Sequence, residues 1–223
     1  MASAGNGEIR KTIESAASQV ANVLRDRVLS GELQPGERLS EEHVREDLGI
    51  SRGTLREAFQ LLIRERLLVH HLSRGVFVRE LSRQDVSDLY HARRVVECAA
   101  LASVETLKPA QLMVLSQALE DGGNAAKVQD WQLVASASVR FHEALVGLAD
   151  SERLSIFIGG LLAEFRLAYA RMDDTATFHE AFLQRNEALA NRIRTGDLPG
   201  AVAMLETYLH DSEQALLAGY DSP

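Results

Sequence analysis

The stretch Leu48-Gly49-Ile50-Ser51-Arg52-Gly53-Thr54-Leu55-Arg56-Glu57-Ala58 decides how the chain is read. Gly49 stands where a helix closes in a left-handed stop, and Ser51, two residues on, is a cap for the next helix. Upstream, Ser40 caps a helix in which Val44 and Leu48 fall four apart. Downstream, Leu55, Ala58, Phe59 and Leu62 make one apolar stripe. Two helices joined by so few residues have helix-turn-helix spacing. Arg52, Gly53, Thr54 and Arg56 fall on the opening of the second helix and off its apolar stripe, which leaves them free to meet a partner.

N-terminal to this stretch, Val20, Val23, Leu24 and Val28 predict an earlier helix, ended by Ser30-Gly31 and followed by a Pro35-Gly36 turn. On the other side, Leu67 to Leu72 and Val76 to Val78 are β-prone runs joined through Ser73-Arg74-Gly75. That is a hairpin with an arginine at its tip and a glycine where positive φ is needed. Three helices followed by a basic hairpin form a winged helix-turn-helix. Residues 1 to 15 have no strong periodicity and read as a flexible N-terminal arm.

Charge agrees with this division. The net charge is -8, yet the first 83 residues hold 13 Lys+Arg against 12 Asp+Glu and the remainder 11 against 20. From Ser51 to Arg83 there are seven arginines against three glutamates. Such asymmetry suits a polyanion at one half only, and the arginine fork suits phosphate and guanine edges; a merely solvated basic face is the other reading. At 223 residues, 46% hydrophobic and 25% charged, the composition excludes a disordered, collagenous or disulfide-built chain. No apolar run approaches the roughly 20 residues of a membrane span. A single cysteine, Cys98, and no basic-then-apolar leader predict a cytoplasmic protein without membrane contact.

Beyond the hairpin the periodicity is helical throughout. Helices are expected near 84–104, 108–120, 128–149, 151–172, 179–194 and 198–217, with breaks at Gly122-Gly123-Asn124, Asp150-Ser151, Asp173-Asp174-Thr175 and Thr195-Gly196-Asp197. The fold class is therefore mainly α. A winged helix over 16–82 precedes an all-α antiparallel bundle over 83–223. Four polar residues interrupt the apolar stripes: Arg93, His142, Asn186 and Tyr208. Buried polar groups are costly without partners, so either each finds its own or they share a pocket. For Arg93 the partner is either a ligand carboxylate or Glu97 one turn on. Phe141, Phe165 and Leu205 are the expected apolar walls.

The ordered motifs Pro35-Gly36-Glu37-Arg38-Leu39-Ser40-Glu41, Leu48 to Ala58, and the wing Arg74-Gly75-Val76-Phe77-Val78 resemble the GntR family of bacterial transcription regulators. The resemblance implies that Ser51, Arg52, Thr54 and Arg56 contact bases or phosphates and that Arg74 is a wing contact. Gly53 and Gly75 are further candidates for that surface, as is Arg38, which serves a structural role equally well. Ser51 serves equally well as a cap alone. Glu42, where relatives often carry a basic residue, and Arg66, where many carry glycine, are departures. Leu89 to Glu97 and Arg140-Phe141-His142 resemble the FCD effector domain of the FadR-type branch. Many of its members hold a divalent metal through one Asp and three His. Here the matching positions are Ser138, His142, Asn186 and Tyr208, so only His142 is kept. The expectation is no metal or other cofactor. A small carboxylate-type effector would instead be held by Arg93, Ser138, His142, Asn186 and Tyr208. The resemblance also implies a homodimer on a palindromic double-stranded operator.

An enzyme has little support. Phe-His-Glu-Ala occurs at Phe141 and at Phe178, but Val146 and Leu183 stand where a metalloprotease needs its second histidine, and no phosphate-binding or nucleophile motif occurs. The alternative is a helical small-molecule-binding or enzyme domain whose basic N-terminal module contacts protein.

Overall fold

The computed structural model describes residues 15–171 and 175–220. The segment read as a flexible arm, apart from Ser15, lies outside them, as do Asp173 and Asp174 of an expected turn. The first helix, α1 (Ala16–Leu29), begins earlier than its apolar spacing indicated, because Ser15 accepts from the Ser18 N–H and starts it. A short strand β1 (Arg38–Leu39) follows, then α2 (Glu41–Leu48) and α3 (Arg52–Arg64). The hairpin strands are β2 (Leu68–His71) and β3 (Gly75–Val78). Gly49 takes φ 62° at the end of α2, the left-handed stop its position requires.

The wing is a three-stranded antiparallel sheet in the order β1-β3-β2, with Arg38 opposite Phe77 and His71 opposite Gly75. Two residues are too few for alternation to show, so β1 left no sequence signal. Leu72, expected in a strand, belongs to the hairpin turn and is 86% exposed. Between α3 and β2, Arg66 sits at φ 59°, a conformation that glycine adopts freely and arginine adopts at a cost.

The second half comprises α4 (Arg83–Ala102), α5 (Pro109–Lys127), α6 (Trp131–Gly147), α7 (Glu152–Phe165), a 3-10 helix (Arg166–Arg171), α8 (Thr175–Arg194) and α9 (Leu198–Ala218). A reciprocal cap between Ser82 and Asp85 starts α4. Two expectations need correction. Gly122-Gly123-Asn124 does not break the chain, since α5 runs on to Lys127. Gly122 is there for close approach: a Cβ on it would lie 3.0 Å from Leu183 Cδ1 and 3.3 Å from Ala137 Cβ, so its absence lets α5, α6 and α8 meet. Nor is 151–172 one helix. It tightens at Arg166, which buries Leu167 and Ala168 and leaves Arg166 and Tyr169 half-buried.

One apolar core runs through both halves, from Leu24, Leu55 and Leu62 through Leu67, Leu81 and Val86 to Leu145, Leu189 and Leu205. The halves are also tied by polar contacts. Arg79 pairs with Asp85 and Glu164, Arg166 Nη2 donates to the Leu29 carbonyl, and Gln132 Nε2 donates to the Ser30 carbonyl. Among the described residues no helix is long and apolar enough to cross a membrane.

Candidate functional site

The first surface is the opening of α3. Ser51 Oγ accepts from the Thr54 N–H at 3.1 Å and lies 2.9 Å from Thr54 Oγ1, so the cap fixes both side chains. Such a cap stabilises a helix by about 1 kcal/mol, and it orients the turn that carries Arg52 and Gly53, both exposed. Leu55, Ala58, Phe59 and Leu62 are buried behind them. Arg56 is also exposed, with Nε 3.6 Å from Glu41 at the start of α2, a solvent-screened contact that a phosphate can replace. Arg74, exposed at the wing tip, lies over the Phe77 ring at 5.5 Å. Arg38 is exposed on β1, and its guanidinium passes so near Gly75 that a Cβ there would stand 3.5 Å from Nε. Gly75 has φ 104°, so both its backbone and this approach favour glycine. Arg64 and Arg66 are exposed, and Glu65 between them pairs with Arg25 at 2.7 Å.

The second site lies inside the bundle. Arg93 from α4, Ser138 and His142 from α6, and Tyr208 from α9 line one small cavity, with Asn186 of α8 beside Ser138. Arg93 is 2% exposed and its Nε donates to Glu97 Oε1 at 2.7 Å, so the internal partner one turn on is the one realised. The guanidinium also lies over Phe165 at 4.6 Å and Tyr90 at 5.3 Å. Glu97 Oε2 receives His142 Nδ1 at 2.6 Å. A carboxylate only accepts, so Nδ1 carries the proton, and Nε2 of a neutral ring accepts from Tyr208 O–H at 3.2 Å. Burial works to raise the Glu97 carboxyl, but Arg93 and His142 outweigh it and hold it below the usual range. Burial pulls His142 down against the pull of Glu97. The buried charges thus balance as one cation and one anion.

Asn186 Nδ2 is 3.5 Å from Ser138 Oγ, while Asn186 Oδ1 is buried without a partner. That orphaned acceptor asks for a donor from an occupant. The cavity measures about 10 Å³, the room of one water, so any larger occupant must part the walls. Those walls are Val139, Leu162, Phe165, Tyr169, Phe178 and Phe182. Of the expected walls only Phe165 lines it. Phe141 and Leu205 are buried elsewhere in the core, and Phe141 is rotated away by its single-residue offset from His142.

One imidazole, one amide and two hydroxyls fit a divalent transition metal poorly. Among the described residues no three of His, Cys, Asp and Glu gather as a metal site. His210 is exposed, and His179 is buried against Tyr169 and Phe178. Three participants escaped sequence reasoning: the Tyr90–Ser212 hydrogen bond at 2.6 Å, the ring of Tyr169, and Glu164. Glu164 did leave a signal, as the only acidic residue between Arg153 and Asp173.

A capped, arginine-bearing helix with a wing, joined to a helical bundle that closes on a polar pocket, defines a one-chain regulator with a DNA-binding half and a sensing half. Comparison with known proteins agrees. The pattern described as "Bacterial regulatory proteins, gntR family" matches residues 16–78, and that of the FCD domain matches residues 88–211. A solved structure described as a GntR transcriptional regulator from Rhodococcus sp. RHA1 is 39% identical with a TM-score of 0.86, over 92% of this chain and 99% of that one. The gluconate operon transcriptional repressor of Bacillus licheniformis is 27% identical, over 82% of this chain and 77% of the relative. The HTH-type regulator YdhC of Bacillus subtilis (strain 168) is 29% identical over 61% of this chain and 62% of its own length, somewhat under two thirds. The chain belongs to the GntR family of bacterial transcription regulators, with an FCD domain as its helical half.

Proposed function

We propose that the protein binds a palindromic operator as a homodimer in the bacterial cytoplasm, and that a small organic acid in the bundle cavity controls it without a metal. The observation that carries the DNA part is the Ser51 cap, which presents Arg52 and Arg56 at the exposed opening of α3. In this reading α3 enters the major groove and Arg74 neighbours the backbone. Two-fold symmetry of the protein then meets two-fold symmetry of the site.

The effector part rests on Asn186 Oδ1, buried and partnerless beside Ser138, His142 and Tyr208. An acid that also carries a hydroxyl answers both Arg93 and that acceptor. Selection of binding sites from random duplexes, followed by band shifts, tests the proposal. The expected outcome is a two-fold symmetric preferred sequence, bound as a dimer and weakened by salt. Failure to bind any duplex favours the alternative in which the basic module contacts protein.

A further inference from the structure

A larger cavity, about 310 Å³, lies where the two halves meet. The turn after α1 forms one wall, through Leu29, Gln34 and Pro35, and the start of α6 and the 3-10 helix form the other, through Trp131, Arg166 and Tyr169. Its size falls at the low end of small-molecule sites. It touches the bundle cavity only through Tyr169, which lines both.

Arg166 makes this more than a gap between domains. It is half-buried, and the loss of water pulls its guanidinium below its usual value. Arg79, Arg93 and Arg94 each reach a carboxylate, whereas Arg166 Nη2 donates to the Leu29 carbonyl at 3.3 Å and Ser136 Oγ at 3.0 Å. No carboxylate of a described residue stands within ion-pair distance of it. Asp26 and Glu143 act on it from beyond that distance, so a half-buried cation bonded directly to two neutral oxygens still gains from an anion. Around it the cavity supplies an indole, a phenol ring and Leu167 for an apolar body, with Gln34 and Gln132 as polar neighbours.

We propose that this interdomain cavity is a second small-molecule site, taking a monocarboxylate with an aromatic or apolar body whose carboxylate meets Arg166. The carboxylate competes with the Leu29 carbonyl for the guanidinium, so occupancy exchanges a bond between the halves for a bond to the ligand. The proposal goes beyond the operator and bundle-effector reading and does not depend on it.

Trp131 is the only tryptophan in the chain, so its fluorescence in DNA-free protein reports on the site directly. Phenylacetate is the probe, with 2-phenylethanol as the same body without charge and acetate as the charge without the body. The expected result is a saturable change with phenylacetate and at least tenfold weaker binding of both controls. Arg166→Gln should weaken phenylacetate at least tenfold, while Val114→Ala, exposed on α5, should leave it unchanged. No saturable change, equal binding of 2-phenylethanol, or wild-type binding by Arg166→Gln overturns the proposal. The ligand comparison on the unaltered protein decides the matter even where a variant fails to fold. Because no DNA is present, a failure here leaves the operator reading standing, and the reverse also holds.

Discussion

Glu164, 4% exposed at the end of α7, lies 2.8 Å from Arg79, the residue that follows the last wing strand. Arg66 approaches the same carboxylate at 3.8 Å, and Arg79 also holds Asp85 at 2.7 Å. The next residue, Phe165, packs on Arg93 in the bundle cavity. One turn of α7 therefore touches the root of the wing on one side and the bundle cavity on the other. Removing one partner of a buried pair strands the other charge, but Arg79 keeps Asp85. Glu164→Ala should therefore cost about 1–3 kcal/mol, below the full penalty for a broken buried pair. Urea unfolding measures it, and an unchanged midpoint would mean that this contact does not hold the halves together.

On DNA, Arg52→Ala should cost about 1–3 kcal/mol on the preferred site and relax base choice, as expected for a base contact. Arg74→Ala, at the wing tip, should weaken all sequences alike and reduce the salt slope by about 1. Band-shift titrations at several salt concentrations separate the two. Wild-type operator binding by Arg52→Ala would show that α3 is not the recognition helix.

His179 makes the fold less stable in acid. Burial alone pulls its imidazole down to about 4 from an ordinary 6.5. The unfolded chain thus takes up a proton before the folded one does. The stabilising contribution is complete above about pH 6.5 and is lost as the pH falls toward 4. At about 1.4 kcal/mol per pH unit over that window, the loss is about 3 kcal/mol. His179→Phe, which keeps a ring against Tyr169 and Phe178, should flatten this part of the stability profile. Urea midpoints at pH 7.5 and pH 4.5 check it. An equal acid loss in the variant would place the titrating group elsewhere.

Metal content should separate this chain from the metal-holding members that its FCD half resembles. With His142 engaged by Glu97 and Tyr208, and with Ser138 and Asn186 beside it, protein purified without a histidine tag should carry well under one equivalent of zinc or nickel. Elemental analysis before and after chelation decides. A stoichiometric, chelator-resistant metal would require a ligand set other than these four residues.

The recognition half was legible because each of its signals is local. Ser40, Gly49 and Ser51 punctuate helices by their own backbone chemistry, and Leu55, Ala58 and Leu62 repeat on one face. What escaped was set by distant parts of the chain. Gly122-Gly123-Asn124 has the composition of a break, but Leu183 and Ala137 need the space over Gly122, and tertiary packing overrides local propensity. In the bundle the sequence brought out Arg93, His142, Asn186 and Tyr208 as misfits in apolar stripes. Whether Arg93 met Glu97 or a ligand depended on side-chain direction, which spacing four apart permits without compelling. The 10 Å³ closure of the cavity came from Tyr169, Phe178 and Phe182, aromatic residues that a periodic reading assigns to core without distinguishing wall from filling.

That Arg93–Glu97 pair sharpens the test of the effector site. Arg93→Leu alone leaves a fully buried Glu97 without its cation, so about 3–5 kcal/mol of stability should be lost whether or not an acid binds there. The single variant therefore cannot separate a structural role from a binding one. The double variant Arg93→Leu with Glu97→Gln can, because it removes both charges and keeps an acceptor for His142 Nδ1. Most of the lost stability should return, and operator binding should survive. The acid itself is found by thermal-shift screening of small mono- and dicarboxylates against the unaltered protein. If Arg93 meets its carboxylate, the double variant stays on the operator at acid concentrations that change the binding of the unaltered protein. If the double variant responds as before, Arg93 serves only to neutralise Glu97, and the acid is held elsewhere.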